Sequence, residues 1–250
     1  MKQLRRIQCL NGNLLKLIAL VCMTVDHVGF YLFPHITVMR IIGRIAMPIF
    51  AYMIAEGCYY TRSMKRYFLT VLAVGAVCQV AMFIAAGSPY QCIMITFSLS
   101  SLLIWLLKTA NRYSIEHRNG SVLLWIAFSA GLLAVFIVAW IIPQSISGSD
   151  FAFDYGFFGV LLPVLIYLPH LSEHRGIKTD TVFILRFIMM ALGLALVAMT
   201  VSLRVQWWSY LAMIFILLYN GTRGKLNLKY LFYIYYPLHI GVINLISMLR

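Results

Sequence analysis

Apolar runs of bilayer-crossing length dominate this chain and leave little room for any other fold. They can be read at about residues 14–33, 37–60, 67–86, 91–107, 121–142, 157–169, 181–201, 206–220 and 230–248, against the roughly 20 apolar residues that one spanning helix needs. With no water at that depth, each segment must satisfy its own backbone amides, and a helix does so. The sequence therefore predicts an all-α, polytopic transmembrane helical bundle of about nine spans, built as one integral membrane domain over residues 1–250. The sixth run is short: it either begins earlier, near Phe151, or forms a helix that does not fully cross. Composition agrees, with 62% hydrophobic and only 11% charged residues, outside the range of soluble globular domains.

The net charge of +13 would point to nucleic acid if the basic residues formed one face. Instead they fall in short clusters between apolar runs, the pattern of membrane topology, and nucleic acid is excluded as a partner. Lys2, Arg5, Arg6 and Lys16 open the chain. Arg62/Lys65/Arg66, Lys108/Arg112/Arg118, Arg175/Lys178 and Arg223/Lys225/Lys229 follow in alternate loops, while Pro34–Ile36, Gly87–Tyr90 and Pro143–Tyr155 carry no Lys or Arg. Positive loops stay inside, which predicts a multi-pass protein with a cytoplasmic N-terminus and an outer C-terminus. The opening basic stretch superficially resembles a signal peptide, but no small-residue cleavage site closes the first run, so it is read as an uncleaved span. The five cysteines show neither disulfide nor metal-ligand spacing, and no metal site is expected.

Against this apolar background a few polar residues stand out. Asp26 and His27 interrupt the first run, and Arg40 and Arg44 open the second. Ionisable side chains at membrane depth are costly and read by default as functional. Seven residues separate Asp26 from the end of its run and Arg44 from the start of its own, which puts both roughly 10 Å below the outer surface. Gln79 comes to a similar level, and His239 lies nearer the midplane. Arg40 and Arg44, four apart, share one helix face. Asp26 and His27 point about 100° apart, so one of them pairs with Arg44 while the other faces a different neighbour or the cavity. An Asp26–Arg44 pair staples the first two helices whatever else it does. Asp154-Tyr155-Gly156 is read as capping the outer end of the sixth span. Glu56 sits about 18 Å deeper than Arg44 and, with Arg62 and Lys65, is expected to form a second polar cluster at the inner face.

The chain resembles the TraX family of bacterial membrane proteins. The resemblance rests on Lys16–Leu20, Met23–Gly29 with Asp26-His27 inside it, Ile42–Phe50 with Gly43, Arg44 and Pro48, Glu56-Gly57 and Thr61-Arg62. It continues through Asp154–Gly156, Gly159–Leu162, Leu218–Gly221, Arg223-Gly224, Phe232-Tyr233 and Tyr236–His239, covering residues 16 to 240 in order. It implies an integral inner-membrane acetyltransferase that uses acetyl-CoA, as the plasmid-borne relatives are associated with N-terminal acetylation of pilin. The acceptor implied is a protein such as pilin, or a glycan or lipid.

Acetyl transfer needs a base for the acceptor and a stabiliser for the developing oxyanion. His27 or His239 is expected as the base, since imidazole titrates near neutrality. Asp26 orients or charges its partner, and Arg44 stabilises the oxyanion or holds Asp26. No glycine-rich phosphate loop is present, so the donor's phosphates fall to Arg62, Lys65 and Arg66 beside Glu56. The donor would enter from that inner side, and the acetyl group would be delivered within the membrane. A proton-coupled transporter and a non-catalytic scaffold for surface-appendage assembly are the rival classes, although no internal repeat supports the former.

Overall fold

The computed structural model describes residues 7–146, 150–175, 177–201, 204–225 and 228–249. The basic residues Lys2, Arg5 and Arg6, and the terminal Arg250, lie outside them. The described residues are helical almost throughout and hold no strand beyond two isolated bridges, Leu10 with Tyr219 and Gln91 with Phe153. In chain order the helices are α1 (Gly12–Tyr31), α2 (Thr37–Gly43), α3 (Ala46–Tyr60), α4 (Met64–Ala86), α5 (Ile93–Ile115), α6 (Ser121–Phe136), α7 (Ile142–Ser145), α8 (Gly156–Tyr167), α9 (Thr179–Thr200), α10 (Ala212–Leu217) and α11 (Lys229–Met248). A π-helical stretch, Ile137–Ile141, joins α6 to α7, and 3-10 helices occupy Leu168–Arg175 and Arg204–Leu211.

Seven stretches among the described residues are long and apolar enough to cross a membrane. They are Gly12–Tyr31, Thr37–Tyr60, Met64–Ile84, Ile93–Ile115, Ser121–Ser145, Gly156–Glu173 and Asp180–Thr200. The protein is thus an all-α polytopic membrane protein, and the expected number of about nine is an approximation. Two runs account for the difference. Residues 206–220 do not form one continuous helix: Arg204–Leu211 is 3-10, followed by the six-residue α10. Gln206 and Ser209 in that first half are fully buried, so the stretch serves the protein interior. The last run forms α11, a helix of 20 residues, in which Ile234–Ser247 is an apolar stretch among the described residues. The short sixth run gains its length at its C-terminal end, where α8 continues into the 3-10 helix, and not towards Phe151.

The chain divides into two compact units, residues 1–53 with 190–250, and residues 54–189. In the first, α1 packs against α2 and α11, and α2 packs against the 3-10 helix Arg204–Leu211. Asn11 starts α1 by accepting hydrogen bonds at Oδ1 from the Asn13 and Leu14 amides, which satisfies two of the donors a helix start leaves open. The segment 218–224 locks onto this start: Gly12 N donates to Thr222 O (2.7 Å) and Asn220 N to Leu10 O (2.8 Å). Gly224 turns there with φ +88°, where a Cβ would press on the Asn11 side chain. The Leu218–Gly224 motif is therefore the seat of the first helix.

In the second unit α5 is central and packs against α4, α6 and α8. Its inward face carries Thr96, Ser98, Ser100 and Ser101, all essentially fully buried. Small hydroxyl residues let helix backbones approach closely; Ser100 Oγ donates to Val160 O of α8 at 2.8 Å. Gln79 holds the α4–α5 connection, donating to Tyr90 O (2.8 Å) and accepting from Cys92 N (2.9 Å). Asp154 takes a hydrogen bond from the Tyr90 hydroxyl (2.9 Å), and Tyr155, at φ +60°, begins α8. The Asp154–Gly156 motif and Gln79 thus brace one loop region.

Candidate functional site

The hairpin of α1 and α2 builds the first polar centre, within residues 1–53 and 190–250. Two glycines allow the helices to meet. A Cβ on Gly29 would lie 2.7 Å from Cβ of Met39, and one on Gly43 would collide with the Asp26 carboxylate. Asp26 therefore lies directly over the bare face of Gly43, and the arginines on either side of that glycine reach it. Arg44 Nη2 lies 2.7 Å from Asp26 Oδ1 and 2.8 Å from Oδ2, while Arg40 Nη1 lies 2.8 Å from Oδ2. Arg40 also donates to the Asp26 carbonyl (3.2 Å) and stacks over Phe30. Arg44 Nη1 reaches Gln206 Oε1 at 3.3 Å. Two guanidinium groups on one carboxylate leave one net positive charge here. Gly43→Ala is expected to lower stability by about 1–3 kcal/mol, the usual cost of overpacking. Thermal unfolding in detergent measures it, and an unchanged midpoint would mean that Asp26 moves aside freely.

His27 turns away from Asp26, as helix geometry requires, and meets α11. Its Nδ1 lies 2.8 Å from His239 Nε2. His239 Nδ1 lies 3.0 Å from the carbonyl of Tyr235, whose ring stacks on His239 at 5.3 Å with 9° between planes. Thr24 Oγ1 donates to Leu20 O, so the Tyr235 hydroxyl donates to Thr24 (2.8 Å) and anchors this clamp. The bonds also fix the tautomers when both rings are neutral. A carbonyl only accepts, so His239 carries its proton on Nδ1 and its Nε2 accepts. His27 must then donate from Nδ1, which leaves the lone pair on His27 Nε2. That nitrogen is the basic atom the arrangement presents, backed by a second imidazole that holds the ring's orientation.

The residues expected at the inner face lie in the other unit, 54–189. The buried Glu56 carboxylate, expected beside Arg62 and Lys65, forms an ion pair with Arg186 of α9, 2.6 Å away. Glu56 faces the protein interior four residues before the end of α3. Arg62, Lys65 and Arg66 are exposed on the turn and first residues of α4 that follow. Arg186 also donates from Nε to Ile166 O (3.3 Å).

Of the expected site residues, the structure brings together Asp26 with Arg44 and Arg40, and His27 with His239. Gln79 is engaged in its own loop. Sequence reasoning missed Gln206, Tyr235, Arg186, His170 and Glu173. Arg186 carried the same signal as Asp26, a lone charge in an apolar run. His170 and Glu173 carried helical i, i+3 spacing.

The model of the TraX protein family matches residues 11–247. An uncharacterized protein of Rickettsia prowazekii (strain Madrid E) is 28% identical over 163 residues, 65% of this chain and 56% of that protein, so the chain covers little more than half of that relative. A probable fimbrial assembly protein, FimC of serogroup H1, from Dichelobacter nodosus is 24% identical over 253 aligned positions, 92% of each chain. No solved structure matches.

Proposed function

The chain belongs to the TraX family, and from that premise we propose that it is an integral inner-membrane acetyltransferase that moves an acetyl group from acetyl-CoA to a surface-appendage protein such as pilin, or to a glycan or lipid. The observation that carries the reading is the His27–His239 pair, with His27 Nε2 left as the free base. A base so positioned removes the proton from an acceptor amine or hydroxyl as it attacks the acetyl carbonyl. Asp26 with Arg40 and Arg44 supplies fixed positive charge one residue along the same helix, of the sign that stabilises a developing oxyanion. Arg62, Lys65 and Arg66, exposed together, suit the phosphates of the donor. The relative named as a probable fimbrial assembly protein supports an acceptor among appendage proteins.

Purified protein incubated with acetyl-labelled acetyl-CoA and host membrane extract is expected to label one acceptor. No label on any component would end the enzyme reading, and proton-driven uptake into vesicles without acetyl-CoA would favour a transporter. Replacing Arg62, Lys65 and Arg66 together with alanine is expected to raise KM for acetyl-CoA by about tenfold or more with kcat little changed, since such contacts serve ground and transition states alike. An unaltered KM would remove these three residues from the donor site.

A further inference from the structure

Residues 54–189 hold a second oriented imidazole. His170 lies in the 3-10 helix Leu168–Arg175 and is 7% exposed. Its Nδ1 is 2.8 Å from Glu173 Oε1, and the other oxygen, Oε2, accepts the Tyr59 hydroxyl in a short hydrogen bond. The His170 ring stacks face to face on Tyr59, with centroids 3.8 Å apart and 16° between planes. Lys108 Nζ binds the carbonyls of Cys58 (3.0 Å) and Tyr59 (3.3 Å), fixing the end of α3 that carries this tyrosine. The His170 ring is thus held at Nδ1 and along one face.

A carboxylate at Nδ1 places the ring's proton there and the lone pair on Nε2. That Nε2 is buried and, among the described residues, has no hydrogen-bond partner. Burying a polar atom unpaired is costly and rare in native structures, and a catalytic role is one of the reasons for which such an atom is kept. An imidazole held at one nitrogen by a carboxylate and free at the other is the arrangement of nucleophilic and general-base catalysis. Glu173 and Tyr59 are only half-buried, so the ring lies one side chain in from the surface. Two residues after α3 ends, the exposed cations Arg62, Lys65 and Arg66 begin.

We propose that His170 is a nucleophile that takes the acetyl group from the donor thioester. The inference rests on the reading that the donor is acetyl-CoA. Nε2 attacks the acetyl carbonyl, the new C–N bond forms, and the C–S bond breaks with its electron pair leaving on sulfur. The Nδ1 proton passes through Glu173 to the thiolate, giving free CoA thiol and a neutral Nε2-acetylimidazole. A thiolate is a competent leaving group for attack by imidazole. The reverse step regenerates acetyl-CoA, so the donor half-reaction is an exchange that needs no acceptor. Glu173 and Tyr59 are positioning residues.

The test uses the full chain in detergent or proteoliposomes, with acetyl-CoA and isotopically labelled CoA but no acceptor. Label is expected to pass from CoA into acetyl-CoA, and a hydroxylamine-sensitive acetyl group is expected on the peptide carrying His170. H170Q is expected to lose both. E173Q is expected to slow the exchange roughly a hundredfold, the scale of a positioned acid–base partner, and to change its pH profile. Acetyl transfer to an acceptor by the wild-type protein without exchange or acetyl-His170 would overturn this inference and leave the proposed function standing. A wild-type protein that never releases acetyl from acetyl-CoA, with or without extract, would overturn both.

Discussion

Asp26→Leu is expected to be the most destabilising of the substitutions at the polar centre, costing about 3–5 kcal/mol, the range for breaking a buried ion pair by removing one partner. Both Asp26 oxygens are taken by guanidinium groups, and Arg44 is 5% exposed. Without the carboxylate, two positive charges converge on one apolar side chain inside a membrane-spanning hairpin, where unpaired charge is especially costly. Arg44→Leu is expected to cost less, since Asp26 keeps Arg40 at 2.8 Å. The double variant Asp26→Leu/Arg44→Leu is expected to be more stable than Asp26→Leu alone, because one of the stranded charges leaves with its partner. Unfolding midpoints of the four proteins in one detergent measure this cycle. A double variant that simply adds the two single losses would show that the pair is not coupled.

The same asymmetry shows why this part of the molecule was legible in the sequence. Opposite charges at matching depth in consecutive apolar runs have few partners to choose from, so the Asp26–Arg44 pair follows from spacing and helix rise. Gly43 then appears as the residue that lets the carboxylate in. For Glu56 the sequence offers only its near neighbours, Arg62 and Lys65, as partners. Its ion-pair partner, Arg186, is 130 positions along the chain, a lone charge in an apolar run whose own sequence neighbours do not point to Glu56. Gln79 was placed by depth alone, yet an amide also satisfies loop backbone, and it holds the α4–α5 connection. The run at 206–220 shows the limit of hydropathy: Trp207 and Trp208 raise its apolar character, while the buried Gln206 and Ser209 give it an interior role and 3-10 form. His27 was recognised, but its partner needed a contact between residues 212 apart, which no local pattern encodes.

His27→Asn is expected to lower acetyl transfer by about 10²–10⁴-fold, the contribution of a positioned general base, with KM for acetyl-CoA little changed because the residue is assigned to the acceptor's proton. Its folding should survive: His27 is only half-buried, and asparagine keeps a donor within the side chain's reach of His239. His239→Phe tests the finer claim. It leaves His27 Nε2 in place but removes the acceptor that fixes its tautomer, so the ring divides its proton between two nitrogens and turns more freely. A loss smaller than that of His27→Asn is expected, together with a changed pH dependence of kcat/KM as the imidazolium of His27 loses its hydrogen-bond partner. Tyr235→Phe removes only the hydroxyl anchored on Thr24 and keeps the stacked ring and the backbone carbonyl, so its effect should be the smallest of the three. The order His27, His239, Tyr235 is the signature of a base supported by successive partners. If His239→Phe abolishes transfer while a folded His27→Asn retains it, the roles of the two histidines are exchanged. If both remain fully active, the pair is a packing contact between α1 and α11, and the base must be sought elsewhere in the chain.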